Sequence, residues 1–216
     1  MAKIELFSYY RSSASYRVRV ALYHKELEFE YKPIHLIQNN GEQNSPEFRE
    51  LNPMGEVPCL VHDKNIINQS MAIFCYLDDV FPEKPLFAKD YYKKAKIIEF
   101  CEHINAGIHP IQNLKVLRKL EREFKISQED KNRWAAYWIV RGFQAIENLL
   151  QTSSGKYCFG DELTAADMFL CPQVYNANRF GVDMSLFPLI EKIDHNCLKL
   201  DCFRNAYPGV QPDTPN

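Results

Sequence analysis

Tyr10-Arg-Ser-Ser-Ala-Ser-Tyr-Arg-Val-Arg-Val-Ala-Leu22 holds the junction on which the fold reading turns. Just before it, Ile4 and Leu6 alternate with Lys3 and Glu5 at period two, the pattern of a half-buried strand. Within it, Val18, Ala21 and Leu22 recur at helical spacing, so a strand gives way to a helix, and hydroxyl side chains cluster where it does. A helix start leaves backbone N–H groups without intrahelical partners and carries the positive end of the dipole. An anion or a thiolate is stabilised there, and a neighbouring serine hydroxyl can donate to it. Capping of the helix by Ser12 or Ser13 accounts for the same residues.

Outward from this junction, Glu28 to His35 is a second extended run, Gln38 to Ser45 is polar and turn-like, and a short helix fits Glu47 to Leu51. Pro58 to Val61 and Ile66 to Ile67 flank His62-Asp-Lys-Asn65 as a hairpin, and Ser70 opens a helix with Ala72, Ile73, Tyr76 and Leu77 on its apolar face. The element order is therefore β-α-β-α-β-β-α. The two prolines of Phe81-Pro-Glu-Lys-Pro-Leu-Phe87 mark a linker, 81–89, between a first domain, 1–80, and a second, 90–216. The second is all-helical. Ile97, Cys101, Ile104, Ile108 and Ile111 form one stripe of a long helix that Pro110 should bend. Gln128 to Leu150, with Trp134, Trp138, Phe143 and Ile146 available for packing, and Ala165 to Asn178 are further helices. Thr164-Ala-Ala-Asp167 has the layout of a capping box, and the end, Gln211 to Asn216, is expected to be extended and loosely held.

The chain of 216 residues is 46% hydrophobic, enough for a buried core, which excludes intrinsic disorder. Lys plus Arg total 26 against 28 Asp plus Glu, a net charge of −2 that supplies no field for nucleic acid or an acidic membrane. A small-molecule or protein partner fits better. No apolar run approaches the roughly 18 residues of a membrane span, and the start MAKIELFSYYRSS lacks the layout of a signal peptide, so a cytoplasmic location is expected. The seven cysteines are odd in number and form no C-x-x-C pair; reduced core thiols are expected, with no metal site.

Two further stretches carry chemistry. In Asn52-Pro-Met-Gly-Glu-Val-Pro-Cys-Leu60, a cis Val57–Pro58 bond would turn the Val57 backbone away from the sheet toward an extended peptide ligand; a trans proline opening an edge strand is the alternative. Gln69-Ser70, at a helix start, offers a backbone N–H, a hydroxyl and an amide to a carboxylate, or simply a cap. The run Lys115, Arg118, Lys119, Arg122 is a solvated helix face, although Arg11 and Lys115 add positive charge.

Together these stretches resemble the glutathione transferases, and Ser12 to Leu22 resembles the zeta class, the maleylacetoacetate isomerases. The likeness runs through Asn52 to Pro58, Gln69-Ser70, Gly160-Asp-Glu-Leu-Thr-Ala-Ala-Asp167, Pro172-Gln-Val-Tyr-Asn-Ala-Asn-Arg-Phe180 and Gln211-Pro-Asp-Thr-Pro215. It implies an α/β thioredoxin-like domain followed by an all-α domain, a homodimer, glutathione as cofactor and a small dianionic substrate undergoing cis–trans isomerisation. By matching position, Ser13, with Ser12 beside it, would hold the glutathione sulfur as a thiolate. Gln69 and Ser70 would take the γ-glutamyl end, Val57 the cysteinyl backbone and Gln43 the glycyl end. His109 and Asn113 would also face glutathione, and Arg179 would meet a substrate carboxylate. Transfer of glutathione to α-halo acids, isomerisation of maleylpyruvate, or a non-catalytic interaction module are the rival expectations. Ala14 departs from the family pattern, where Cys is familiar, and His109 stands in place of a familiar Gln and Lys115 of a small polar residue.

Overall fold

The computed structural model describes residues 3–215; Met1, Ala2 and Asn216, which belong to the two chain ends considered above, lie outside the described residues. The chain divides into two compact units, one of Met1–Leu86 with Lys199–Asn216 and one of Phe87–Leu198. In the first, β1 (Ile4–Ser8), α1 (Ser13–His24) and β2 (Glu30–Pro33) form a parallel β-α-β turn of chain. Then α2 (Pro46–Leu51) leads to the antiparallel pair β3 (Cys59–His62) and β4 (Asn65–Asn68), closed by α3 (Ser70–Val80). The sheet order is β2-β1-β3-β4, with β1 antiparallel to β3, which is the thioredoxin-like arrangement expected. Ile4, Leu6 and Ser8 are the buried alternate residues of β1.

Helix α1 is buried far beyond its apolar stripe: every residue from Ser15 to Leu22 is buried, including Arg17 and Arg19. It packs against α3 and against α9 (Asp201–Ala206), which lies near the end of the chain. This corrects two expectations. The terminal segment belongs to the first unit and not to the helical one, and it is tied down rather than loose. Gln211 is buried and donates to the carbonyls of Asn205 and Tyr207, both at 2.9 Å, while Thr214 Oγ1 donates to the Pro208 carbonyl at 2.6 Å. The physical reason is that α1 presents buried arginines that need acceptors, and the tail supplies one of them, the Ala206 carbonyl, 3.0 Å from Arg19 Nε.

Residues 81–86, read as part of a linker, wrap around Lys25. Its Nζ, without solvent exposure, donates to the carbonyls of Phe81 (2.7 Å), Glu83 (3.2 Å) and Lys84 (3.2 Å) and to Asp78 Oδ1 (3.3 Å). Asp78 Oδ1 also accepts the Leu86 N–H at 2.6 Å.

The second unit is all-helical among its described residues, apart from isolated bridges at Ser154, Tyr157 and Gly160. Its helices are α4 (Tyr91–Glu102), α5 (Leu114–Phe124), α6 (Gln128–Ser153), α7 (Ala165–Arg179) and α8 (Pro188–Cys197). The expected long bent helix is instead broken: α4 widens into a π-helical turn, His103–Ile108, and the chain leaves helical geometry before α5. Pro110 brings no N–H and its ring crowds the carbonyl four residues earlier, so an uninterrupted helix is excluded. The seam of α6 is Ala135, Ile139, Phe143, Ile146 and Leu150, whereas Trp134, expected in the core, is exposed and donates its indole N–H to the Ile111 carbonyl at 3.0 Å. Ala72 of α3 is likewise exposed, and Phe74 takes its place in the core. The Thr164–Asp167 capping box forms, and buried Asp167 also accepts the Cys158 N–H at 2.7 Å. Five of the seven cysteines are buried, Cys75 and Cys202 are partly so, and all are free thiols.

Two stability predictions follow from the buried charges. Lys25→Met leaves three carbonyls and Asp78 without their cation and should cost about 3–5 kcal/mol in urea unfolding; a loss under about 1 kcal/mol would contradict that role. Burial pushes the Asp194 carboxyl of α8 up to about 6, against a hydrogen bond with Cys171 that lowers it. The folded chain thus holds a proton that the unfolded chain has released, so stability falls as pH rises from about 4 to 6. Asp194→Asn should therefore raise stability by about 2 kcal/mol at pH 7 and leave it unchanged below about pH 4, as read by denaturant unfolding at both pH values.

Candidate active site

Sheet register brings the chemically interesting stretches to one end of the first unit. Ser8, the last residue of β1, is paired with Pro33, the last of β2, so the β1–α1 loop and the loop after β2 leave the sheet together. Phe7 is paired with Cys59, the first residue of β3, and Cys59 with Asn68, the last of β4. Val57-Pro58 therefore enters, and Gln69-Ser70 leaves, at the same end as Ser12 and Ser13. The sequence stretches that carried separate hints form one rim.

At that rim Ser12 is the N-cap of α1, its Oγ accepting the Ser15 N–H at 3.2 Å, while its own N–H donates to the Tyr9 carbonyl at 3.0 Å. Ser13 is the first helical residue and is buried. The two serines are thus distinguished: one closes the helix end, and the other stands in the first turn, where the dipole favours negative charge. The Val57–Pro58 peptide bond is cis, and Val57 lies just outside the β3 ladder, which starts at Cys59. Asn52 braces this turn by donating to the Glu56 carbonyl at 2.7 Å and accepting the Met54 N–H at 3.1 Å.

Gln69 is exposed and has a φ of 71°, a conformation that a residue with a side chain adopts at a cost of about 1–3 kcal/mol and that concentrates at functional sites. Immediately after it, buried Ser70 opens α3, and its Oγ accepts a hydrogen bond from Arg17 Nη1 at 3.1 Å. A guanidinium without solvent exposure thus stands behind the α3 helix start. It adds positive charge to that of the dipole and polarises the Ser70 hydroxyl as a donor.

Gln43 sits on a 3-10 turn, Glu42–Asn44, buried rather than extended toward a ligand. Its Nε2 lies 3.5 Å from the Leu36 carbonyl, and its Oε1 has no hydrogen-bond partner among the described residues. Gly41 makes room for it: a Cβ there would lie 2.6 Å from the Gln43 amide atoms, and φ is +89°. In the second unit, half-buried His109 follows the π-helical turn and its Nε2 lies 3.3 Å from Asn113 Nδ2. Asn113 also caps α5, its Oδ1 accepting the Lys115 N–H at 3.1 Å. Arg179 is exposed at the C-terminal end of α7, donating to Asn176 Oδ1 at 2.9 Å with the rings of Tyr175 and Phe180 beside it.

The sequence reading passed over Arg17, Arg19, Asn52 and Asp213. The signal for the arginines was present: two charges two residues apart, Arg17-Val-Arg19, inside an otherwise apolar helical run cannot both point to solvent on one polar face. The protein thiol nearest the rim, Cys59, is fully buried, and burial pushes it up to about 11, so it is no nucleophile.

Residues 2–79 match the family model of the glutathione S-transferase N-terminal domain. Over 210 residues the chain is 47% identical to a probable maleylacetoacetate isomerase 2 of Drosophila melanogaster, an alignment covering 97% of this chain and 90% of that protein. A maleyl pyruvate isomerase, described as a bacterial glutathione S-transferase of the zeta class, superposes with a TM-score of 0.95 at 37% identity, over 98% of this chain and 100% of that one. The maleylacetoacetate isomerase of Anaeromyxobacter dehalogenans 2CP-1, with glutathione bound in its active site, superposes with a TM-score of 0.89 at 37% identity, over 99% of each. Close to half identity along nearly the whole length of both chains places this protein in a family: it belongs to the zeta-class glutathione transferases, among the maleylacetoacetate isomerases.

Proposed function

We propose that this chain catalyses the glutathione-dependent cis–trans isomerisation of maleylacetoacetate to fumarylacetoacetate, a step of phenylalanine and tyrosine breakdown, as a cytoplasmic homodimer. The observation that carries the reading is the shared rim. Two helix starts, each with a buried serine at its first residue, flank a cis-proline turn at one end of the sheet. Such a rim suits a peptide with a thiol in its middle and a carboxylate at each end, because backbone N–H groups and hydroxyls are donors to both. No helix among the described residues is long and apolar enough to cross a membrane, in keeping with the proposed location. Exposed Met54 and Ile66 of the first unit, and Tyr91 and Tyr92 of the second, offer apolar surface to a second copy.

Glutathione, when bound, supplies a thiolate that adds to the cis double bond, allows rotation about it as a single bond, and leaves again from the trans product. Ser13 keeps that sulfur ionised by donating its hydroxyl, with the α1 dipole behind it, and Ser12 fixes the turn that aims Ser13. Gln69 and Ser70 hold the γ-glutamyl carboxylate against the charge of Arg17, and Val57 pairs with the cysteinyl backbone. Gln43 meets the glycyl end by turning its amide from the Leu36 carbonyl. That costs little, since the 3.5 Å contact is at the limit of a hydrogen bond and Oε1 is unpartnered among the described residues. His109 and Asn113 contribute to glutathione binding, and Arg179 grips a substrate carboxylate and steadies the enolate charge that develops next to it.

The absorbance of maleylacetone, a soluble mimic of the substrate, should change rapidly with protein and glutathione together and not when glutathione is omitted. No reaction in the presence of bound glutathione would overturn the proposed substrate. The same assay on maleylpyruvate then tests the second reading, favoured by the 0.95 TM-score to a maleyl pyruvate isomerase. Ser13→Ala should lower kcat by about a hundredfold while changing glutathione affinity only severalfold. Equal turnover in that variant would remove Ser13 from the mechanism.

A further inference from the structure

The loop that carries the two serines is held from outside by residues far away in the chain. Tyr10 has both of its backbone polar groups taken by side chains: its N–H donates to Asp213 Oδ2 at 2.9 Å, and its carbonyl accepts from Arg19 Nη2 at 2.9 Å. Its neighbour's carbonyl, that of Tyr9, accepts from Ser12 N and, at 3.4 Å, from Arg19 Nη1. The other carboxylate oxygen of Asp213 accepts the Tyr31 hydroxyl at 2.7 Å, so the tail is fastened to β2 as well as to the loop. Asp213 is half-buried, and the remainder of the tail is anchored around it by Gln211 and Thr214. Nothing in the chemistry assigned to the rim requires a carboxylate at this place.

We propose that Asp213 is a positioning residue, and that the C-terminal tail acts through it as a clamp that keeps the Tyr9–Ser12 turn in the shape that presents Ser13. The inference rests on the reading of Ser13 as the thiolate-holding residue, but the clamp itself is measurable without it. Position is decisive here because a hydroxyl donor displaced by about 1 Å at a reacting centre forfeits on the order of a hundredfold in rate. Free backbone at this turn would let the first residue of α1 sample that displacement. The Asp213 charge faces the Arg19 guanidinium and the Tyr9, Tyr10 and Tyr31 side chains, and the three tyrosines are neutral at physiological pH, so Arg19 offsets the carboxylate and no net negative charge is brought toward the thiolate.

Three proteins are compared with wild type: Asp213→Ala, Tyr31→Phe, which removes one of the two grips while keeping the ring, and Thr214→Ala, which touches only the Pro208 carbonyl within the tail. The first readout is amide hydrogen exchange in the absence of glutathione. Exchange over residues 9–13 should quicken about tenfold or more in Asp213→Ala and less in Tyr31→Phe, with the β3–β4 hairpin and α6 unchanged and Thr214→Ala like wild type. The second is the pH at which bound glutathione ionises, followed by thiolate absorbance; it should move upward in Asp213→Ala, and kcat for maleylacetone should fall at least tenfold with a smaller change in KM for glutathione. Unchanged exchange at residues 9–13, or faster exchange with thiolate ionisation and kcat both unchanged, would overturn the proposal. If Asp213→Ala loosens the whole chain, Tyr31→Phe decides by the same criteria. A wild type without isomerase activity would count against the proposed function alone, since loop exchange and the ionisation of bound glutathione still read the clamp.

Discussion

Arg19 lies on a helix that is covered on nearly every side, and a charge in such a setting must be given acceptors or lost. Burial lowers its guanidinium to about 10, still well above neutral pH, so it stays charged. Four oxygens answer it: Ser8 Oγ and the carbonyls of Tyr9, Tyr10 and Ala206. Three of these belong to the end of β1 and the loop that follows, and the fourth to the last helix. One side chain thus settles the course of the catalytic turn and the docking of the tail. The rest of the first unit depends on both, because α1 reaches its burial only once α9 covers its open face. Arg17, one alternation earlier on the same helix, does the equivalent for α3 through Ser70.

The rim itself is a consequence of topology. A parallel β-α-β unit delivers the ends of β1 and β2 to one side, and the antiparallel neighbours β3 and β4 bring a strand entrance and a strand exit to that same side. Helices that follow β1 and β4 consequently start there, with their N–H groups outward. A ligand with separated negative centres can then be held along the sheet end by dipoles that need no reorganisation. The functional rim needs only the fold and a few side chains small enough to leave those N–H groups accessible, which serines are.

The element order, the helix starts at Ser70 and Gln128, the capping box at Thr164 and the cis Val57–Pro58 bond were all legible from spacing and residue type, because each rests on local backbone chemistry. What could not be read was non-local. Trp134 sits at a position that helical periodicity allows to face inward, yet its indole N–H finds a carbonyl at the surface, and the smaller Ala135 occupies the seam. The tail, ending in Gln211-Pro-Asp-Thr-Pro215, is polar and proline-rich and so resembles a loose end; its order comes from partners 182 and 203 residues away. Gln43 could be placed on its loop, but the direction of its amide depends on Gly41, whose missing side chain opens the space it fills. For the serines, residue type alone left cap and donor indistinguishable. The bond from Ser15 N–H to Ser12 Oγ separates them, and it depends on where the preceding turn is held.

The absence of a usable protein thiol at the rim bears on what the protein contributes to the reaction. Ala14 occupies the position next to Ser13, and Cys59 beside the cis-proline is held near 11 by its burial, so only about one in ten thousand of its thiols is ionised at neutral pH. The nucleophile must therefore arrive with glutathione, and the protein's share of catalysis lies in lowering the cost of its negative charge. Every group placed at the rim acts in that direction: two helix starts, hydroxyls that donate, and a buried guanidinium behind one of them. Such stabilisation is strong only while the donors are held still before the charge forms, because a donor that must reorient spends much of what it would contribute. That requirement explains why so many of the buried polar contacts in the first unit, from Arg19 to Asn52 to Asp213, end on the backbone of the turns and not on the ligand itself.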